Sequence, residues 1–127
     1  MGQQQLLLIL VGAIIVGLMT MAGFAMFSDG AASSNRDALA NDLCLYASQA
    51  QTYQRKPALL GGGNGSLVGF RLPGSPKNEN GSYSITAANQ NVMLIQAIGV
   101  ETGYDGSGPT KLTMKVTRDS VQVTDVN

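Results

Sequence analysis

LLLILVGAIIVGLMTMAGFAMF, Leu6 to Phe27, is the stretch on which the reading of this chain turns. Its 22 residues carry no charge, and Thr20 holds the only hydroxyl. At 1.5 Å per residue a helix of that length spans about 33 Å, close to the hydrocarbon thickness of a bilayer. Apolar side chains fall on every side of such a helix, so it cannot lie on a surface with one polar face in water. Lipid or other apolar helices must surround it. A cleavable secretory signal would need a basic start, a shorter apolar run and a small-x-small site. Met1-Gly2-Gln3-Gln4-Gln5 has no basic residue, and Leu6 stands where myristoylation after Gly2 prefers Ser or Thr. An ordinary single-span anchor stays open as a rival. Ala13-x-x-x-Gly17 is a small-xxx-small pair that lets helix backbones approach closely. Gly17, Gly23 and Gly30 are the points where a helix here would loosen.

Outward from this segment the chemistry changes abruptly. All 8 basic and 8 acidic residues lie after Ser28. Their balance removes the argument for a nucleic-acid partner, which needs a clustered basic face. Histidine is absent, which excludes Ser-His and Cys-His dyads and imidazole metal sites. Cys44 is the single cysteine and reads as a small buried thiol in a helical pattern, with no intrachain disulfide open to it. No catalytic constellation emerges, so the expectation is a protein that is not an enzyme and uses no cofactor or metal.

Residues 33–56 carry a second helical pattern. Leu39, Leu43, Tyr46, Ala47, Ala50 and Tyr53 recur at three- and four-residue steps, and Pro57 supplies the stop. The two helical stretches can form one continuous rod. Gly61-Gly62-Gly63-Asn64-Gly65 reads as a flexible loop, since the Gly-Lys-Ser/Thr ending of a phosphate cradle is missing. Period-two patterns follow at Val68–Leu72, Tyr83–Ala87 and Leu112–Val116, with Val121 and Val123 after a tight turn. Val92–Val100 is nearly continuous and reads as a central, well-buried strand. Short links predict antiparallel pairing, and one sheet face needs the Leu39–Tyr53 stripe as its cover. The expected core is Leu39, Leu43, Ala47, Ala50, Val68, Phe70, Ile85, Leu94, Ile98, Leu112 and Met114.

The fold class predicted is therefore α+β: a long N-terminal helix, apolar first and amphipathic second, on a small antiparallel sheet. The parts are 1–28, an apolar membrane or filament-core helix; 29–57, an amphipathic helix entering the head; and 58–127, the sheet head. This order of parts resembles the type IV pilin superfamily. The start Gly2-Gln3-Gln4-Gln5-Leu6-Leu7-Leu8-Ile9, the run Asn35-Arg36-Asp37-Ala38-Leu39, and the loop Gly61–Ser66 leading to Gly69-Phe70 resemble small pilin-like proteins of the Bacteroidetes–Ignavibacteria kind. In the typical pilin the fifth mature residue is a glutamate that pairs with a neighbour's N-terminal amine. With Met1 as the mature N-terminus, the expectation taken here, Gln5 stands at that place and offers a hydrogen bond without charge. With processing after Gly2, the fifth residue is Leu7. The usual proline in the apolar helix and the C-terminal cysteine pair of many pilins are both missing.

The resemblance implies a structural subunit of an extracellular filament. It would sit in the inner membrane first and then assemble with copies of itself through the pilus assembly machinery. Adhesion, motility and DNA uptake all stay open as the filament's role. The residues expected along the filament core are Gln5, Leu6, Ile9, Leu10, Ala13, Ile14, Gly17, Leu18, Met21, Phe24 and Phe27. Asn64-Gly65-Ser66 and Asn80-Gly81-Ser82 make Asn64 and Asn80 candidate glycosylation acceptors in exposed loops. Asp105, in a Gly-Ser loop, resembles a position in the calcium loops of secretion pseudopilins, but one carboxylate is too few for that ion unless carbonyls supply the rest. The rivals are a secretion pseudopilin or minor pilin, and a monomeric single-span protein whose head binds a ligand.

Overall fold

The computed structural model describes residues 2–74 and 76–126. One helix, α1 (Gly2–Arg55), is followed by a 3-10 turn, Ala58–Leu60, and four strands: β1 (Gly81–Ala88), β2 (Val92–Thr102), β3 (Pro109–Thr117) and β4 (Val121–Val126). The fold is α+β, a long N-terminal helix with an antiparallel sheet in the order β1-β2-β3-β4. The helix is unbroken at Gly17, Gly23 and Gly30. The chain divides into two compact units, Met1–Ala31 and Ala32–Asn127.

In the second unit the buried residues of α1 are Ala32, Asn35, Leu39, Leu43, Ala47, Ala50 and Gln54. Their spacing of three or four draws one stripe down the helix. It packs on Tyr83 of β1, Met93, Ile95 and Ala97 of β2, and Leu112, Met114 and Val116 of β3. Tight reverse turns explain the simple meander: the Asn89 amide donates to the Val92 carbonyl at 2.7 Å, and the Thr117 amide to the Ser120 carbonyl at 2.9 Å. Thr117 and Ser120 also exchange side-chain bonds across the second turn.

Three expectations about the head are corrected. First, β2 alternates, with Met93, Ile95, Ala97 and Gly99 inward and Leu94 and Ile98 half-buried on the opposite face. Only one face of the sheet meets a helix, so the strand is not buried on both sides. The inward parity is the one that places small residues where α1 comes closest. A Cβ at Gly99 would collide with Asn35 Oδ1.

Second, 68–72 is not a strand. Gly69 takes φ 91°, and the Phe70 amide closes a turn onto the Leu67 carbonyl at 3.3 Å. Leu67 is buried, Val68 is exposed, and Phe70 is half-buried against the Tyr53 ring. Third, the glycine loop is a helix cap. The amides of Gly63, Asn64 and Gly65 donate to the carbonyls of Tyr53, Lys56 and Gln54 at 2.8, 3.0 and 2.7 Å. A helix end leaves such carbonyls without partners. Asn64 at φ 49° and Gly65 at φ 90° take the left-handed conformation that brings the amides round.

Candidate functional site: the exposed apolar helix

Fifteen large apolar side chains, from Leu6 to Phe27, are 45–77% exposed. Leucine, methionine and alanine favour the helix in this run, and the weaker formers valine, isoleucine and glycine are carried in it without a proline to break it. The one hydroxyl, Thr20 Oγ1, donates to the Val16 carbonyl at 2.7 Å, one turn back. The segment therefore offers no polar group that calls for water. By length and composition this is one helix able to cross a membrane, and none of its apolar window is buried.

Gln5, Leu6, Ile9, Leu10, Ala13, Ile14, Gly17, Leu18, Met21, Phe24 and Phe27 all lie on this helix and are all exposed. They are not drawn into a pocket. Leu7, Leu8, Ile15, Met19 and Met26, which the sequence reading left out, are as bare as they are. Exposure thus extends all round the helix. A Cβ added at Gly12, Gly17 or Gly23 would meet nothing, so these glycines fill no packing requirement within the single chain. At Gly23 the missing side chain leaves a shallow apolar recess bounded by Thr20, Phe24 and Phe27. Met1, expected beside Gln5 at the mature N-terminus, lies outside the described residues.

The head holds a polar cluster that the sequence reading did not assemble. Asp42 Oδ2 accepts from Asn78 Nδ2 at 2.9 Å, from Asn80 Nδ2 at 3.1 Å and from the Tyr83 hydroxyl. Burial works to raise the Asp42 pKa, but the three donors outweigh it and hold the carboxyl below its ordinary range. Burial, and then the bond to Asp42 and its charge, push the Tyr83 hydroxyl far above its ordinary value. The cluster straps the 76–81 segment to α1, with Asn35 Nδ2 donating to the Asn80 carbonyl at 2.8 Å. The Asn80 amide nitrogen is thus engaged with Asp42, whereas Asn64 is exposed in the capping loop. Cys44, expected to be buried, is exposed on the flank of α1. Asp105 bonds locally to the amide and hydroxyl of Ser107 at 3.1 and 2.6 Å.

The geometry leaves residues 6–27 of α1 bare on every side and gives the unit Ala32–Asn127 a core of its own. Comparison with known proteins finds no matching family model, no matching curated protein and no matching solved structure.

Proposed function

We propose that this chain is the structural subunit, a major pilin-like protein, of an extracellular type IV pilus-like filament. Its apolar helix holds it in the inner membrane until the pilus assembly machinery moves it into a fibre. There the helices of many copies bundle at the axis and the heads form the shell. One observation carries the reading: the all-round exposure of fifteen large apolar side chains on a single helix. Full burial of one such side chain contributes about 1.5–3 kcal/mol, so covering this set is worth on the order of 20 kcal/mol. That exceeds the roughly 5–15 kcal/mol that holds a whole domain folded. A bilayer supplies the cover to one subunit, and a bundle of copies supplies it in a fibre. The helix-then-sheet order of parts supports the same reading. Close approach of neighbouring backbones also gives Gly12, Gly17 and Gly23 a use that the lone chain does not.

The test is electron microscopy of material sheared from the surface of cells that make the protein, with mass spectrometry of the purified fibres. Thin fibres composed chiefly of this chain are the expected result. A chain found only in the membrane fraction, with fibres absent or made of something else, would leave the apolar helix as an anchor.

A further inference from the structure

Within the unit Ala32–Asn127, charge and exposed apolar surface are both sorted along the second half of α1. Where the helix stops, the surface is basic. Arg55 donates to the Arg118 carbonyl at 3.1 Å. Lys56 follows it directly, and Arg71 follows Phe70, whose ring meets Tyr53 at 5.5 Å. Lys115 stands two residues before Thr117, whose carbonyl accepts from Gln51 at 2.9 Å. Asp119, in the turn after Arg118, is the single carboxylate among these five cations.

The opposite end of the head is acidic. Asn35 there accepts the Glu101 amide at 3.5 Å, and Arg36 lies 4.0 Å over the Tyr104 ring. Arg36 and Tyr104 share an open notch with Asp105, Lys111, Asp125 and Val126. Glu79 precedes Asn80, whose carbonyl accepts from Asn35, and Asp37 stands two residues along α1 from Asn35. This sets five carboxylates, Asp37, Glu79, Glu101, Asp105 and Asp125, against Arg36, Lys77 and Lys111. Each end also has a bare apolar centre. Leu59, Leu60 and Val68 are 99%, 65% and 55% exposed at the basic end, and Val100 and Tyr104 are 64% and 56% exposed at the acidic end.

We infer that the basic, leucine-bearing end of one head docks on the acidic, Tyr104-bearing end of a second copy of this chain. Leu59 contributes nothing to its own head's core, and an apolar centre inside a charged rim is how specific protein interfaces are built. The two rims are opposite in sign, which favours basic-to-acidic contact and opposes contact between like ends. Because the two patches are different surfaces, the contact is heterologous and repeats from copy to copy without using itself up. The proposed filament is the setting in which the copies meet, and the inference rests on that reading for this alone.

The test uses the full chain with Cys44→Ser, carrying Leu59→Cys and Val100→Cys together, oxidised mildly in filaments or at high concentration in detergent micelles. A ladder of disulfide-linked dimers, trimers and longer species is expected, while either cysteine alone, with no cysteine opposite it, gives no ladder. Lys56→Glu with Arg71→Glu, added to the cysteine pair, should cut the ladder about tenfold at physiological ionic strength. Adding Glu101→Lys with Asp125→Lys to that chain should restore it. All of these positions are exposed, so an unchanged unfolding midpoint in detergent separates lost docking from lost folding. Filaments that form normally but give no ladder, or a charge reversal that changes nothing, overturn the docking and leave the filament reading standing. A charge-dependent ladder in micelles from a chain that never forms fibres keeps the docking and removes the filament.

Discussion

A Cβ at Gly99 would run into Asn35 Oδ1 and stand 3.0 Å from Leu39 Cδ1. Asn35 is also the residue that holds the Asn80 carbonyl and the Glu101 amide, so little room exists for it to step aside. Gly99→Ala should cost about 1–3 kcal/mol, as overpacking of a closed site does, and lower the unfolding midpoint of the detergent-solubilised protein. Asp42 makes a prediction about pH. Its folded pKa is depressed, so its stabilising contribution is present above about pH 4, the ordinary carboxylate value, and is lost as pH falls through the folded pKa. Tyr83 has a raised folded pKa, so its contribution is complete below about pH 10 and is lost as pH rises beyond it. A pH series of unfolding midpoints should fall at both ends, and Asp42→Asn should flatten the acid limb. An acid limb unchanged in that variant would show that Asp42 is not the strap. None of this was legible in the sequence, because Asp42 and Tyr83 are 41 residues apart and nothing local to either one names the other.

The strand β2 shows what an element-scale pattern can and cannot decide. Its nearly continuous apolar run, interrupted at Gln96, announced a strand, and the strand is there, but the run could not say which parity faces the helix. That choice depends on Ala97 and Gly99, which matter only once α1 lies across them. Ile95→Ala should cost about 2–5 kcal/mol, as emptying a fully buried aliphatic site does, and Leu94→Ala clearly less. Equal losses in a denaturant titration would put the inward face on the wrong side. The helix stripe was readable in its middle, where Leu39, Leu43, Ala47 and Ala50 repeat at helical spacing and all four are buried. Tyr46 and Tyr53 are only half-buried, and the polar Asn35 and Gln54 that extend the stripe carry no apolar signal. The alternation at 68–72 misled because a single left-handed glycine, Gly69, turns the chain without disturbing the pattern of side chains. Gly61–Gly65 read as slack because capping is done by backbone amides, which a sequence does not display.

At the scale of the whole molecule, Leu6–Phe27 was legible from composition alone: no arrangement of a head this small could cover it, and none of its apolar window is buried. What composition left open is which surroundings cover it, and the energy at stake makes that the decisive question. Ile15 sits mid-segment, 47% exposed. A lysine there costs a lone inserted helix only about 2.5–3.5 kcal/mol, because local thinning of the bilayer and entry of water meet the extended stem, but it would be trapped without a partner among packed apolar neighbours. The most direct measurement is therefore the yield of surface fibres from cells making Ile15→Lys or the wild-type chain at equal membrane levels, with a chain lacking residues 1–28 alongside. The filament account predicts abundant fibres from the wild type, none from Ile15→Lys despite normal insertion, and a soluble folded monomer from the truncated chain. Normal fibres from Ile15→Lys, or polymers from the head alone, would contradict it.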